Sequence, residues 1–271
     1  MKFHRRFSKI SFLLKKVFFA GFKLPNYTRV IGKIANELLD AEEVLIKDID
    51  YRVNYYCRLN GFFSFDDDSV FSGANTDHCS RTQIIDYKYV SRFFDPSLKA
   101  NLVTGDNVDN PATPSFCKSR PLEVDNRNAV LLKLDEFRHY YSRKDPFEFN
   151  KKKAMAVWRG ACYQTQRKRF IEAAQGLPSI DAADVRPDVD DSPYSGKFLS
   201  MTDQMKYRYI ISLEGNDVAT NLKWIMRSNS VCMMPKPRYE TWFMEGLLVP
   251  FQHYIEIKDD FSDIEEMIEY Y

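Results

Sequence analysis

The chain has 271 residues, with 39 Lys and Arg against 38 Asp and Glu, and 4 His. Hydrophobic residues make up 44% and aromatic residues 15%, while Gly numbers 10 and Pro 12, which excludes a disordered or collagen-like chain. No apolar stretch near the N-terminus can span a bilayer, and Lys15 and Lys16 split the segment a signal peptide would need, so the expected setting is cytoplasmic, soluble or peripheral to a membrane.

The near-neutral balance hides an asymmetry. Nine Lys and Arg precede the first acid, Glu37, and the remainder carries 30 bases against 38 acids. A basic head on an acidic body argues against nucleic acid as partner and for a local anionic surface. Within residues 1–24 the cations alternate with Phe7, Ile10, Phe12, Leu13, Leu14, Val17, Phe18, Phe19 and Phe22. An amphipathic helix fits this pattern, either lying on anionic lipid or packed on the protein. A helix is then expected over Ile31 to Leu45. Aromatic-rich segments follow at Tyr51–Tyr56 and Phe62–Phe65, with a Pro/Asn/Asp loop from Asp106 to Pro114. Lys144–Lys153, with Pro146, reads as a linker or edge segment.

From residue 154 the pattern becomes regular. Ala154–Trp158, Tyr207–Leu213, Val231–Met234 and His253–Ile257 read as strands. Thr165–Ala174, Val218–Arg227, Tyr239–Leu247 and Ser262–Tyr271 read as helices, the last opening with Ser262 and Glu265 as a capping box. Repeated βα units predict an α/β fold with a largely parallel sheet covered on both faces.

Ligands of such sheets bind at the carboxyl ends of the strands. Those ends hold Arg159–Gly160 and Glu214–Gly215–Asn216–Asp217. Each glycine permits close backbone approach, each precedes a helix whose N-terminus favours an anion, and Arg159 and Arg167 add positive charge. Together these residues read as a diphosphate site. Neither a GxGxxG fingerprint nor a P-loop is present.

Several segments in order carry a resemblance. Lys206 to Trp224, Tyr239-Glu-Thr-Trp-Phe243, Leu248-Val-Pro250 and His253 to Asp260 resemble glycosyltransferase family 90. Trp158-Arg-Gly160 with Arg167 is similar to the family's phosphate-binding segment. Thr104-Gly-Asp106 and Lys118-Ser-Arg-Pro121 sit where the bacterial lipopolysaccharide-core members carry similar residues. The likeness runs from about Asp50 to the C-terminus.

The resemblance implies a GT-B-like architecture of two Rossmann-like domains with an interdomain cleft. Residues 1–150 would form the acceptor and base domain with its basic head, and 151–271 the nucleotide-sugar domain. It implies an inverting transfer of a hexose or pentose from a UDP-sugar to a lipopolysaccharide or lipooligosaccharide core acceptor. No metal and no cofactor beyond the donor are implied, and the setting would be the inner face of the inner membrane. By position the base is Asp106, with Asp109 second, although Gly-Asp-Asn is also turn chemistry. Arg159, Gly160, Arg167, Gly215, Asn216, Asp217, Thr220 and Asn221 would face the donor. Glu240 would bind ribose hydroxyls or serve as an acid at a helix N-terminus. The sequence departs from the family at Cys162, Ala219 and Asn221, and stops at Tyr271 where members usually continue, so a C-terminal truncation is expected.

Two other functions fit some residues. Asp66 and Asp68 have the D-x-D spacing of metal-dependent GT-A transferases, though without a preceding apolar strand a solvated acidic loop is favoured. The basic head alone would suit a non-enzymatic membrane-surface protein. His78, Cys79 and His139 lack partners at metal spacing, His253 reads as a core histidine on a strand, and Met233–Met234 reads as strand core.

Overall fold

The computed structural model describes residues 11, 14, 27–65, 81–91, 93–95, 97–187 and 192–271. The basic head, apart from positions 11 and 14, and Asp66, Asp68, His78 and Cys79 lie outside the described residues. The chain forms two compact units. One comprises Met1–Tyr141 with Tyr239–Trp242, and the other Ser142–Arg238 with Phe243–Tyr271.

The first unit contains helices α1 (Tyr27–Leu39), α2 (Glu43–Tyr56), α3 (Arg81–Ser91) and the short α4 (Glu136–His139). The single helix expected over Ile31–Leu45 is instead broken at residues 40–42. Strands β1 (Ser115–Cys117) and β3 (Ala129–Leu131) pair in parallel. Strand β2 (Ser119–Pro121) pairs antiparallel with β8 (Tyr239–Thr241), Arg120 opposite Glu240. A small core of Tyr87, Ala100, Leu132 and Leu134 packs with Phe94 and Phe116.

Residues Tyr239–Leu247 therefore do not form the expected helix. Tyr, Thr, Trp and Phe favour strands over helices. Pairing with β2 buries Glu240 against Arg120, and a 3-10 turn at Glu245–Leu247 follows.

The second unit is built on a five-stranded, all-parallel sheet. Its strands are β4 (Lys153–Gly160), β5 (Ile180–Asp184), β6 (Tyr207–Ile211), β7 (Val231–Met234) and β9 (Ile255–Glu256), in the order β5-β4-β6-β7-β9. Alternation along the strands builds two cores. Ala156, Trp158, Tyr209, Ile211, Met233 and Ile255 meet Phe170 and Ile171 of α5 (Thr165–Ala173) and Ile264 and Ile268 of α8 (Ile264–Tyr270). Val157, Ile210, Cys232 and Met234 meet Met205, just past α6 (Met201–Gln204), and Leu222, Trp224 and Ile225 of α7 (Leu222–Ile225). The expected α/β fold, with a parallel sheet covered on both faces, is what the unit has.

Three local expectations fail. The helix expected over Val218–Arg227 shrinks to the single turn of α7, preceded by Asn221, whose side-chain amide donates to the Ile211 carbonyl at 3.0 Å. Ser262 does not cap α8. Its N–H donates to Asp260 Oδ1 at 3.1 Å, and the helix starts only after Asp263. Phe261, at φ 61° and fully buried against Phe170, sets that turn. His253 is an exposed turn residue and not a core histidine on a strand. Met233 and Met234 are strand core as expected.

Candidate active site

In the strand order of the second unit the chain steps from β4 to β5 on one side and then to β6 on the other. The β4 and β6 carboxyl ends are thus a topological switch point, where a crevice for ligand opens. Most of the residues expected to face a diphosphate gather there. At Gly160 an added Cβ would lie 2.4 Å from the Trp158 indole, so only glycine fits. Arg167 reaches from α5 across the crevice. Its Nε donates to the Glu214 carbonyl at 3.1 Å, Nη2 to the Leu213 carbonyl at 3.1 Å and Nη1 to the Ala161 carbonyl at 3.3 Å. One guanidinium thus ties the loops after β4 and β6 together, and burial pulls its pKa below the ordinary value.

The β6 loop is ordered from within. The Gly215 N–H donates to the Asp217 carbonyl at 2.9 Å, and Asp217 is buried. Asn221 Oδ1 accepts from Ser212 at 3.1 Å, while Asn216 Oδ1 accepts from Gln164 at 3.1 Å. Thr220 is exposed.

Arg159 is placed differently. Its Nη2 pairs with Asp181 Oδ1 at 2.6 Å, and its other donors go to the carbonyls of Trp158, Asp181 and Lys197. Burial works against the Asp181 charge, but hydrogen bonds from Tyr207 and Arg159 hold its pKa below the usual carboxylate value. Glu240 lies in the first unit, fully buried. Its Oε1 accepts from Arg120 Nε at 2.7 Å and faces Arg58 at 3.6 Å, and its Oε2 is bonded by the Tyr55 hydroxyl.

The expected base also lies in the first unit. Gly105 has φ 87°, a conformation that favours glycine, and Gln83 clamps both its N–H and its C=O at 3.0 and 3.1 Å. The next residue, Asp106, keeps its side chain 31% exposed and accepts from the buried Lys118 ammonium at 2.6 Å. Asn107 is buried, its N–H bonded to Ser119 and its amide to the Asp109 carbonyl. The Gly-Asp-Asn turn is thus a pinned loop that presents one carboxylate beside one cation. Asp109 is exposed. His139 is buried with Nδ1 3.3 Å from Asp135, a structural setting.

Sequence reasoning missed several polar groups. Strand β5, at the edge of the sheet, reads Ile-Asp-Ala-Ala-Asp, too polar to announce a buried strand, and nothing local marks Asp181 and Asp184. Asp184 accepts from Arg186 Nε at 2.8 Å at the carboxyl end of β5. Arg238 bonds Glu214 at 3.0 Å and Gln166 at 3.1 Å, a cation that its exposed, proline-flanked segment did not single out. Gln83 lay on a helix with no motif to mark it.

Comparison with known proteins bears on this geometry. Glycosyl transferase family 90 matches residues 130–271, which include the whole parallel sheet. The chain is 41% identical over 272 aligned residues, 98% of its length and 84% of the relative's, to a protein named O-glucosyltransferase LpsA from Dichelobacter nodosus. The chain belongs to glycosyl transferase family 90. A second similarity, 28% over 156 residues, covers 55% of this chain but only 12% of uncharacterized protein 179R of Invertebrate iridescent virus 6. As a glycosyltransferase of family 90, the protein handles a sugar donor and a glycan acceptor. Among the described residues no helix is long and apolar enough to cross a membrane.

Proposed function

We propose that this family 90 protein is an inverting, metal-independent glycosyltransferase that moves a hexose or pentose from a UDP-sugar to a lipopolysaccharide-type core glycan. The switch-point crevice, with Gly160 and Gly215 on either side of Arg167, carries the reading. The two units would be the halves of a GT-B-like enzyme, the second holding the donor and the first supplying the base.

The chemistry needs few parts. Asp106 takes the proton of the acceptor hydroxyl as that oxygen attacks the anomeric carbon. The bond from that carbon to the diphosphate oxygen breaks, and UDP leaves with the electron pair. Charge grows on the leaving diphosphate, so donors and cations must already face it. Arg167, the N-terminus of α5 and the Gly215–Asp217 backbone are the groups best disposed for this. Arg238 is a further cation beside them. Arg159 supports the site indirectly through its hold on β5, and the burial of Glu240 favours a role in anchoring residues 239–242 on β2 over the expected ribose contact. Lys118 and Gln83 position Asp106. The acceptor would lie on an anionic membrane surface at the cytoplasmic face, met by residues 1–24. The outward apolar side chains Ile31, Ile34, Leu38 and Leu39 of α1 continue that character.

A thermal-shift screen against nucleotide-sugars in EDTA tests the donor. UDP-sugars and free UDP should raise Tm, because a ligand that binds only the folded state stabilises it. Stabilisation that vanishes in EDTA would favour the metal-dependent alternative through Asp66 and Asp68, and none by any nucleotide-sugar at millimolar concentration would remove the donor site.

A further inference from the structure

The second unit holds a cavity of about 310 Å³ at the amino end of its sheet, the end opposite the crevice. Its size lies at the lower end of the range for small-molecule sites. Phe149 borders it ahead of β4, Tyr209 from β6, Phe251, His253 and Tyr254 ahead of β9, and Tyr271 beyond α8.

Three observations point to a ligand. Tyr209 is only 2% exposed and borders the cavity, yet among the described residues its hydroxyl makes no hydrogen bond. That hydroxyl is not sealed from solvent, so water or an occupant of the cavity can bond it. His253 Nδ1 accepts from the Val249 N–H at 2.8 Å, which leaves the proton of the neutral ring on Nε2 and makes that atom a donor. Phe251 has φ 59°, a genuine outlier for a bulky side chain, of the kind that collects at ligand clamps. Its ring stacks on Tyr271 with centroids 6.4 Å apart and planes 15° apart, and is 58% exposed.

Flat aromatic faces with a few fixed polar groups match a pyranose ring, which has C–H faces and a rim of hydroxyls. The geometry points to a second saccharide subsite here, holding one pyranose unit away from the crevice at the carboxyl ends. The inference uses the protein's place among glycosyltransferases and stands apart from the proposed base and donor. The sugar is either a free monosaccharide or one unit of an acceptor glycan.

Saturation-transfer NMR on the full chain tests it, with methyl β-D-glucopyranoside and a lipid-free core oligosaccharide as probes. Tyr209→Phe removes only a hydroxyl without a partner, so Tm should hold while saccharide affinity falls roughly fivefold to tenfold. Phe251→Ala, at an exposed side chain, should weaken binding similarly. If the oligosaccharide binds more tightly than the glucoside and both variants weaken it, the pocket takes the acceptor glycan; equal affinity assigns it to free sugar. Binding of neither probe at tens of millimolar, or equal binding by wild type and both variants, would overturn the subsite.

Discussion

Arg120 shows how one side chain can hold a fold together. It is fully buried, and its five-donor fork is spread over Glu240 and the carbonyls of Tyr55, Tyr56 and Ala129. Burial pulls its pKa down while the Glu240 charge pulls it back up, the balance of a desolvated pair. Removing one partner leaves the other buried with less compensation. Arg120→Met should therefore cost about 3–5 kcal/mol, and Arg120→Met with Glu240→Leu should cost less than the single change. Urea unfolding followed by circular dichroism measures both. A loss under about 1 kcal/mol in the single variant would mean that the pair does not anchor β8. The same pair explains what sequence could not tell about Glu240. A glutamate after an apolar strand reads alike whether it points to a ligand or to an arginine 120 positions earlier.

At the scale of elements, the legible parts were those whose neighbours in space are also neighbours in pattern. Strands β4, β6 and β7 are apolar on both faces because helices cover both, and α5 carries its own periodicity. The switch-point glycines could be read for the same reason, since they close βα units. What failed depended on long-range partners. Strand β5 is polar because Asp181 serves Arg159 and Tyr207, and β8 is a strand only because β2 lies beside it. Just ahead of the short α7, the Asn221 side-chain amide ties the loop to β6 through the Ile211 carbonyl, a link ten positions back that leaves no local mark. The Asp106 turn was visible as turn chemistry, but its clamp by Gln83 and Lys118 joins residues 22 and 12 positions away and leaves no local mark.

For the whole molecule, charge placement and base placement make separate claims. Nine cations precede Glu37, and each near an anionic surface contributes about 1 kcal/mol at most, so several together hold a protein there reversibly. The protein should co-sediment with anionic vesicles at low salt and be released near 1 M, where the Debye length is about 3 Å. Replacing Arg5, Arg6, Lys15 and Lys16 with Gln should abolish this, and equal sedimentation by wild type and variant would return the head to a packed helix. The base claim is sharper. Asp106 stands on a pinned loop beside Lys118, about one-third exposed. The most direct test is transfer from a UDP-sugar to a core-glycan acceptor by Asp106→Asn, with donor binding measured in the same preparation. Donor affinity should be unchanged and transfer should fall by a factor on the order of 10²–10⁴; near-normal turnover would contradict the assignment of Asp106 as the base.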